Sequence, residues 1–157
     1  AIALALARER PGWQLRGVDS SEDALGVARL NAAMLSLERV GFTRSDWYQA
    51  VAGQRFHLLV SNPPYIDASD HHLQQGDLRF EPRGALVAAD AGLADLAQLI
   101  AGAPAHLHPG GWLLLEHGYR QGEAVRALLL QSGFGPVATR RDLAGPERVS
   151  GGPYRVE

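Results

Sequence analysis

Short apolar runs alternate along this chain with longer segments in which apolar residues recur every three or four positions. That alternation predicts strands and helices in turn. Residues 1–7 are all good helix formers, with no capping residue ahead of them, and read as a helix interior. Pro11-Gly12 marks a turn. Residues 14–18 predict a short strand ending at Asp19, and 21–37 a helix with Ala24, Leu25, Ala28 and Leu35 facing inward. Residues 40–45 and 56–61 predict two further strands, the second apolar enough to be buried. Residues 62–90 break the pattern, with prolines at 63, 64 and 82 and glycines at 76 and 84. A long non-periodic stretch in a compact domain is usually functional. Beyond it come a helix over 92–105, a turn at Pro109-Gly110-Gly111 and a strand over 112–116. A helix over 123–132, stopped by Gly133, and strands at 137–141 and 154–156 complete the chain.

Strands alternating with helices predict an α/β fold, a parallel sheet in a three-layer α/β/α arrangement. Ligands of such sheets sit outside the carboxyl ends of the strands. Four places therefore matter: Asp19, Asp46-Trp47, Asn62-Pro63-Pro64-Tyr65 and Glu116-His117.

Composition narrows the chemistry. The 157 residues suit one domain, and 46% hydrophobic content allows a sizeable core. With no cysteine, thiolate nucleophiles, disulfides and Cys-based zinc sites are excluded. All 15 basic residues are arginine, which removes Schiff-base chemistry and the P-loop lysine. A formal net charge of −2 argues against a surface built to grip nucleic acid. No apolar run approaches a membrane span, and the first residues lack the basic leader of a signal peptide, so the expected location is the cytoplasm with no membrane partner. His71-His72 and His106/His108 lack helical ligand spacing, and no metal is expected.

Asp19 ends a strand where a carboxylate can accept hydrogen bonds from both ribose hydroxyls of an adenosine cofactor. With Glu22 it equally fits a helix capping box. Asp46-Trp47 offers a carboxylate for an exocyclic amine and an indole face for an adenine, or merely a turn and a half-buried ring. Asn62-Pro63-Pro64-Tyr65 is the most informative run, because it directly follows an apolar strand. An amide nitrogen is a poor nucleophile, its lone pair being delocalised into the carbonyl. Acceptors aimed at its N–H groups favour charge on nitrogen in the transition state. The Asn62 side-chain carbonyl and the Pro63 backbone carbonyl are two such acceptors, and two prolines stiffen the turn that carries them. The Tyr65 ring can rest against the substrate amide or near a cationic methyl donor. The bland alternative is an ordinary Asn-Pro turn.

These residues also carry a resemblance. Ser61-Asn62-Pro63-Pro64-Tyr65-Ile66, the run Gln74-Gln75-Gly76-Asp77-Leu78-Arg79-Phe80-Glu81-Pro82, Ala85-Leu86-Val87-Ala88, Leu113-Leu114-Leu115-Glu116-His117-Gly118 and Glu147-Arg148-Val149 resemble the bacterial peptide chain release factor glutamine methyltransferases, the HemK family. The likeness covers nearly the whole chain. It implies a Rossmann-like S-adenosylmethionine-dependent methyltransferase fold whose last hairpin is antiparallel. It implies S-adenosyl-L-methionine as cofactor and release factors as protein substrates, methylated on a glutamine side-chain nitrogen. By the resemblance, Asp19 is the ribose acid and Trp47 contacts the cofactor. Asn62 touches cofactor and substrate, and Asn62, Pro63, Pro64 and Tyr65 form the glutamine pocket, with Asn62, Pro63 and Tyr65 in the catalytic role. Phe80 and Glu81 lie in an adjoining loop without assigned roles. The family's first strand, Gly-rich loop and N-terminal helical domain have no counterpart in these residues. The expectation is thus an N-terminally truncated catalytic domain over residues 1–157.

Three rivals share parts of this pattern. A glutamine methyltransferase of a large-subunit ribosomal protein has the same Asn-Pro-Pro-Tyr box, but the 74–82 stretch fits release factors better. A nucleic-acid base amino methyltransferase would need base flipping and a basic groove. A non-catalytic nucleotide-binding module would use Asp19 but not the 62–65 turn.

Overall fold

Burial of apolar side chains accompanies strand formation over Leu107–Glu116, where Leu107, Leu113 and Leu115 are buried, whereas Phe56–Ser61, expected to be buried, is at most half-buried and leaves Val60 exposed. The computed structural model describes residues 1–67, 82 and 85–155, in two units, Ala1–Gln54 and Arg55–Glu157.

In the first unit, helix α1 (Ile2–Glu9), strand β1 (Arg16–Asp19), helix α2 (Glu22–Met34) and strand β2 (Gly41–Arg44) follow in order. β1 and β2 pair in parallel, with Asp19 opposite Arg44. Leu4, Ala7, Ala32, Leu37 and Val40 form the core, with Ala3, Leu15 and Phe42 packed on it. The ends of α2 follow from side-chain chemistry. Ser21 Oγ accepts from Ala24 N at 3.2 Å, so serine is the cap, and Glu22 and Asp23 lie in the first turn beside the positive helix end. The helix stops three residues short of the predicted end. Ser36 takes a left-handed φ of 53° and turns the chain. As a result Leu37 is buried, whereas Leu35, expected inside, is exposed, as is Ala24.

The second unit holds a four-stranded sheet in the order β3 (Phe56–Ser61), β6 (Leu107–Glu116), β8 (Glu147–Pro153), β7 (Ala138–Arg141). β3 and β6 are parallel, while β8 is antiparallel to both its neighbours, as the antiparallel last hairpin implied. A two-residue pair, β4 (Ile66–Asp67) with β5 (Val87–Ala88), lies in the segment expected to be irregular. The helices are α3 (Ala89–Gly92), α4 (Ala94–Gly102) and α5 (Gly122–Gln131). Leu96, Ile100, Leu107, Leu113, Leu115, Val125 and Leu129 are fully buried here, each contributing about 1.5–3 kcal/mol of burial.

Three expectations need correction. The helix predicted over 92–105 starts only at Ala94, because Gly92, at a φ of 80°, ends the short α3 instead; α4 ends at Gly102 and a 3-10 turn runs from Ala103 to His106. The Pro109-Gly110-Gly111 turn lies within β6 as a bulge: pairing jumps from Phe56 with Leu107 to Leu58 with Trp112. The last described strand is Glu147–Pro153; of the expected 154–156 strand, Tyr154 forms an isolated bridge to Phe134, and residue 156 lies outside the described residues. Gly151 and Gly152 let neighbouring backbones approach within the strand. A Cβ at Gly151 would strike the Leu113 carbonyl, and one at Gly152 the Pro136 carbonyl at 2.6 Å.

Candidate active site

Each candidate residue sits where its strand delivers it. Asp19 is the last residue of β1 and is exposed. Its Oδ1 accepts from Ser21 N at 2.9 Å, an Asx turn that fixes the carboxylate just before the helix. The helix cap itself is Ser21, so the capping-box reading of Asp19 does not hold. Asp19 Oδ2 makes no hydrogen bond among the described residues. An exposed carboxylate oxygen held in place at a strand's carboxyl end suits a ribose hydroxyl donor.

The chain after β2 is held by one buried hydroxyl. Ser45 Oγ donates to the Trp47 carbonyl at 2.8 Å and accepts from Ala50 N at 3.0 Å. Ser45 N in turn donates to the Asp19 carbonyl at 2.9 Å, tying this loop to the end of β1. Trp47 is forced to a φ of 47°, a left-handed conformation that costs a non-glycine residue about 1–3 kcal/mol. Strain of that kind persists where the surroundings hold it, and the indole is half-buried. An open depression here is lined by Arg44, Ser45, Asp46, Gln49 and Ala50. Asp46 thus faces it, partly engaged by Gln49 Nε2 at 3.2 Å, while Trp47 is not among its lining residues. Burial pushes the neighbouring Tyr48 phenol well above its usual range, so it stays protonated.

In the second unit, Asn62-Pro63-Pro64-Tyr65 follows β3 directly, as the sequence predicts. Asn62 is exposed, Pro63 is buried, and Pro64 and Tyr65 are half-buried. Neither the Asn62 side-chain amide nor the Pro63 carbonyl has a hydrogen-bond partner among the described residues, which leaves both acceptors available. Tyr65 is anchored at both ends. Its hydroxyl donates to Glu116 Oε1 at 3.1 Å, and its carbonyl accepts from Gln121 Nε2 at 3.0 Å. Gln121 also accepts from Gly118 N at 2.9 Å. Gly92 packs against this joint: a Cβ there would collide with the Tyr65 carbonyl.

The structure thus keeps Asn62, Pro63, Pro64 and Tyr65 in one turn and joins Glu116 to it. Asp19 and Trp47 belong to the other unit. Phe80 and Glu81, the 74–81 stretch and His71-His72 lie outside the described residues. Gln121 was not singled out from sequence. Its only local signal is its place three residues after Gly118, ahead of a helix. Among the described residues no cluster of His, Asp and Glu could hold a metal ion, and no helix is long and apolar enough to cross a membrane.

The chain is similar to known proteins. The family model described as Methyltransferase small domain matches residues 1–79. Proteins named release factor glutamine methyltransferase are similar along almost the whole chain. That of Salmonella typhimurium is 53% identical over 154 residues, covering 98% of this chain and 56% of the relative. That of Pseudomonas aeruginosa is 55% identical over 149 residues, covering 95% and 54%. The chain spans a little over half the length of these relatives. Among solved structures, a methyltransferase from Pyrococcus furiosus superposes with a TM-score of 0.72 at 17% identity, covering 98% of this chain and 68% of that one. A 16S rRNA methyltransferase of T. thermophilus, in complex with AdoMet and guanosine, superposes with a TM-score of 0.67 at 21% identity, covering 98% and 34%. These likenesses establish the Rossmann-like methyltransferase fold.

Proposed function

The chain belongs to the methyltransferase small domain family, and from that premise we propose that it transfers a methyl group from S-adenosylmethionine to the side-chain amide nitrogen of a glutamine in a peptide chain release factor. The observation that carries this reading is the 62–65 turn, with two carbonyl acceptors unengaged among the described residues on a doubly prolyl, side-chain-anchored loop. The 53% and 55% identities to proteins named for that reaction support it.

When bound, S-adenosylmethionine supplies a methyl group activated by attachment to a positively charged sulfur. Everything else falls to the protein. Asp19 Oδ2 accepts ribose hydroxyls, a charge-assisted pair of contacts. Trp47 offers an aromatic surface to the same cofactor. The Asn62 and Pro63 carbonyls accept the two N–H groups of the glutamine amide. They would orient its nitrogen and stabilise the positive charge that develops on the N–H groups as the S–CH3 bond breaks to a neutral thioether and the N–CH3 bond forms, one N–H proton then passing to water. Tyr65 packs against the amide, and Pro64 closes the pocket wall. The prolines keep these acceptors from reorganising as charge develops. In this reading residues 1–157 supply the catalytic domain and act on protein in the cytoplasm. The formal net charge of −2 supports a protein rather than a nucleic-acid substrate.

The test is to incubate the full-length protein with methyl-labelled S-adenosylmethionine and, separately, release factor, ribosomal protein and nucleic acid. Label on a release-factor glutamine is expected. Label confined to either of the other substrates would overturn the reading.

A further inference from the structure

We propose that Gln121 and Glu116 are positioning residues for the amide pocket, acting through Tyr65; this rests on reading the 62–65 turn as that pocket. Gln121 bridges two loops with one side chain. Its Nε2 donates to the Tyr65 carbonyl at 3.0 Å and its Oε1 accepts from Gly118 N at 2.9 Å. Both hydrogen-bonding faces of the amide are therefore used, which fixes its orientation. Glu116, the last residue of β6, accepts the Tyr65 phenol proton at 3.1 Å. β3 and β6 are parallel neighbours, with Ser61 opposite Leu115. The turn leaving β3 and the turn leaving β6 therefore emerge side by side, and the two side chains lock one to the other.

Packing shows how little slack the joint has. An added Cβ at Gly92 would meet the Tyr65 carbonyl and, at 2.8 Å, Gln121 Nε2. At Gly118 it would lie 3.0 Å from Gln121 Oε1 and 3.6 Å from the Tyr65 ring. Pro63 and Pro64 restrict the turn's own torsions, but they cannot set where it points relative to β6. Tyr65 does so, because it is held at the hydroxyl by Glu116 and at the carbonyl by Gln121. Loss of either contact lets the acceptors on Asn62 and Pro63 drift, and misplacement by about 1 Å can cost roughly 10²-fold in rate.

The test uses the full-length protein and four variants: Gln121→Leu, Gln121→Glu, Glu116→Leu and Glu116→Gln. Single-turnover methyl transfer to release factor, cofactor affinity and amide hydrogen exchange at Tyr65 and Ile66 are measured in each. Gln121→Leu and Glu116→Leu should lower the transfer rate by about 10²-fold. Cofactor affinity should stay within about twofold, and exchange at Tyr65 and Ile66 should accelerate. Glu116→Gln keeps an acceptor for the phenol and should restore most of the rate. Gln121→Glu keeps the contact with Gly118 but loses the donor to Tyr65, so it should be slow while folded; it decides the matter if Gln121→Leu is recovered unfolded. Wild-type rates in the leucine variants, cofactor affinity falling in step with rate, or unchanged exchange would overturn the proposal. Absence of label on release factor with the wild-type protein would instead refute the proposed function, and the exchange data would still judge the clamp.

Discussion

His117 Nε2 lies 2.8 Å from Ser150 Oγ, and both residues are wholly buried. The other ring nitrogen, Nδ1, is 2.9 Å from the Gly118 carbonyl, which can only accept, so Nδ1 carries the proton. In the neutral imidazole Nε2 then accepts from Ser150. Thr139 Oγ1, 2.8 Å from Ser150 Oγ, donates to it, and Arg126 donates to Thr139 at 2.9 Å. One directed chain of hydrogen bonds thus links α5, β7 and β8 to the residue after Glu116. Ser150→Ala should destabilise the fold by about 1–3 kcal/mol, because a buried ring nitrogen loses its donor. Urea unfolding measures this; an unchanged midpoint would show that the chain carries no stability.

Gly92→Ala should damage methyl transfer more than stability. Its φ of 80° disfavours any side chain, and the new methyl group would push the Tyr65 carbonyl away from Gln121. A rate loss of roughly 10²-fold is expected if the turn shifts by about 1 Å. Single-turnover kinetics beside a thermal melt separate the two effects. A variant that only melts earlier, with its rate intact, would contradict this.

Asp19→Ala should weaken cofactor binding and leave the fold intact, since its described contact is a local turn. Each charge-assisted hydrogen bond to a ribose hydroxyl is worth about 1.5–3 kcal/mol, roughly 10- to 100-fold in affinity. Calorimetry with S-adenosylmethionine measures it. Unchanged affinity in a folded variant would leave Asp19 as a turn former alone.

Asn62→Ala should lower methyl transfer by roughly 10²–10³, by analogy with losing one preorganised transition-state contact, while cofactor binding barely changes. Asn62→Asp keeps an acceptor and almost the same shape but adds a charge. That charge favours the cationic cofactor over a transition state in which positive charge is leaving sulfur. The variant should therefore bind cofactor well and transfer slowly. Near-wild-type rates in both would reduce the 62–65 turn to a structural element.

Acid should loosen the β7–β8 hairpin first. The hydrogen bond from Arg148 holds Asp142 below the usual carboxylate range, and that from Arg126 does the same for Glu147. A carboxylate depressed in the folded state adds stability above its unfolded pKa. That stability is lost as pH falls through the unfolded value, near 4, toward the lower folded one. Urea midpoints should therefore be flat near neutrality and fall below about pH 4.5. Glu147→Gln and Asp142→Asn should lower the midpoint at pH 7 and flatten its acid dependence. An unaltered acid limb in both variants would rule out these two groups.

The sequence by itself determined the alternation of strands and helices up to Ser61 and the position of the amide turn. Those are local properties: β3 spans Phe56–Ser61 as its apolar run predicts, and Asn62-Pro63-Pro64-Tyr65 must then leave the sheet because two prolines cannot continue a ladder. Gly133, with its φ of 83°, ended α5 as a glycine there should. Only the tertiary structure decided that Leu37 rather than Leu35 enters the core, because that depended on where Ser36 turned the chain. It also decided that Gly151 and Gly152 lie in a strand, since their lack of Cβ matters only against Leu113 and Pro136 from other elements. The grip on Tyr65 was equally hidden. Glu116 and Gln121 are 51 and 56 residues further along, and no pattern within a helix turn or a strand repeat records a contact that the pairing of β3 with β6 creates.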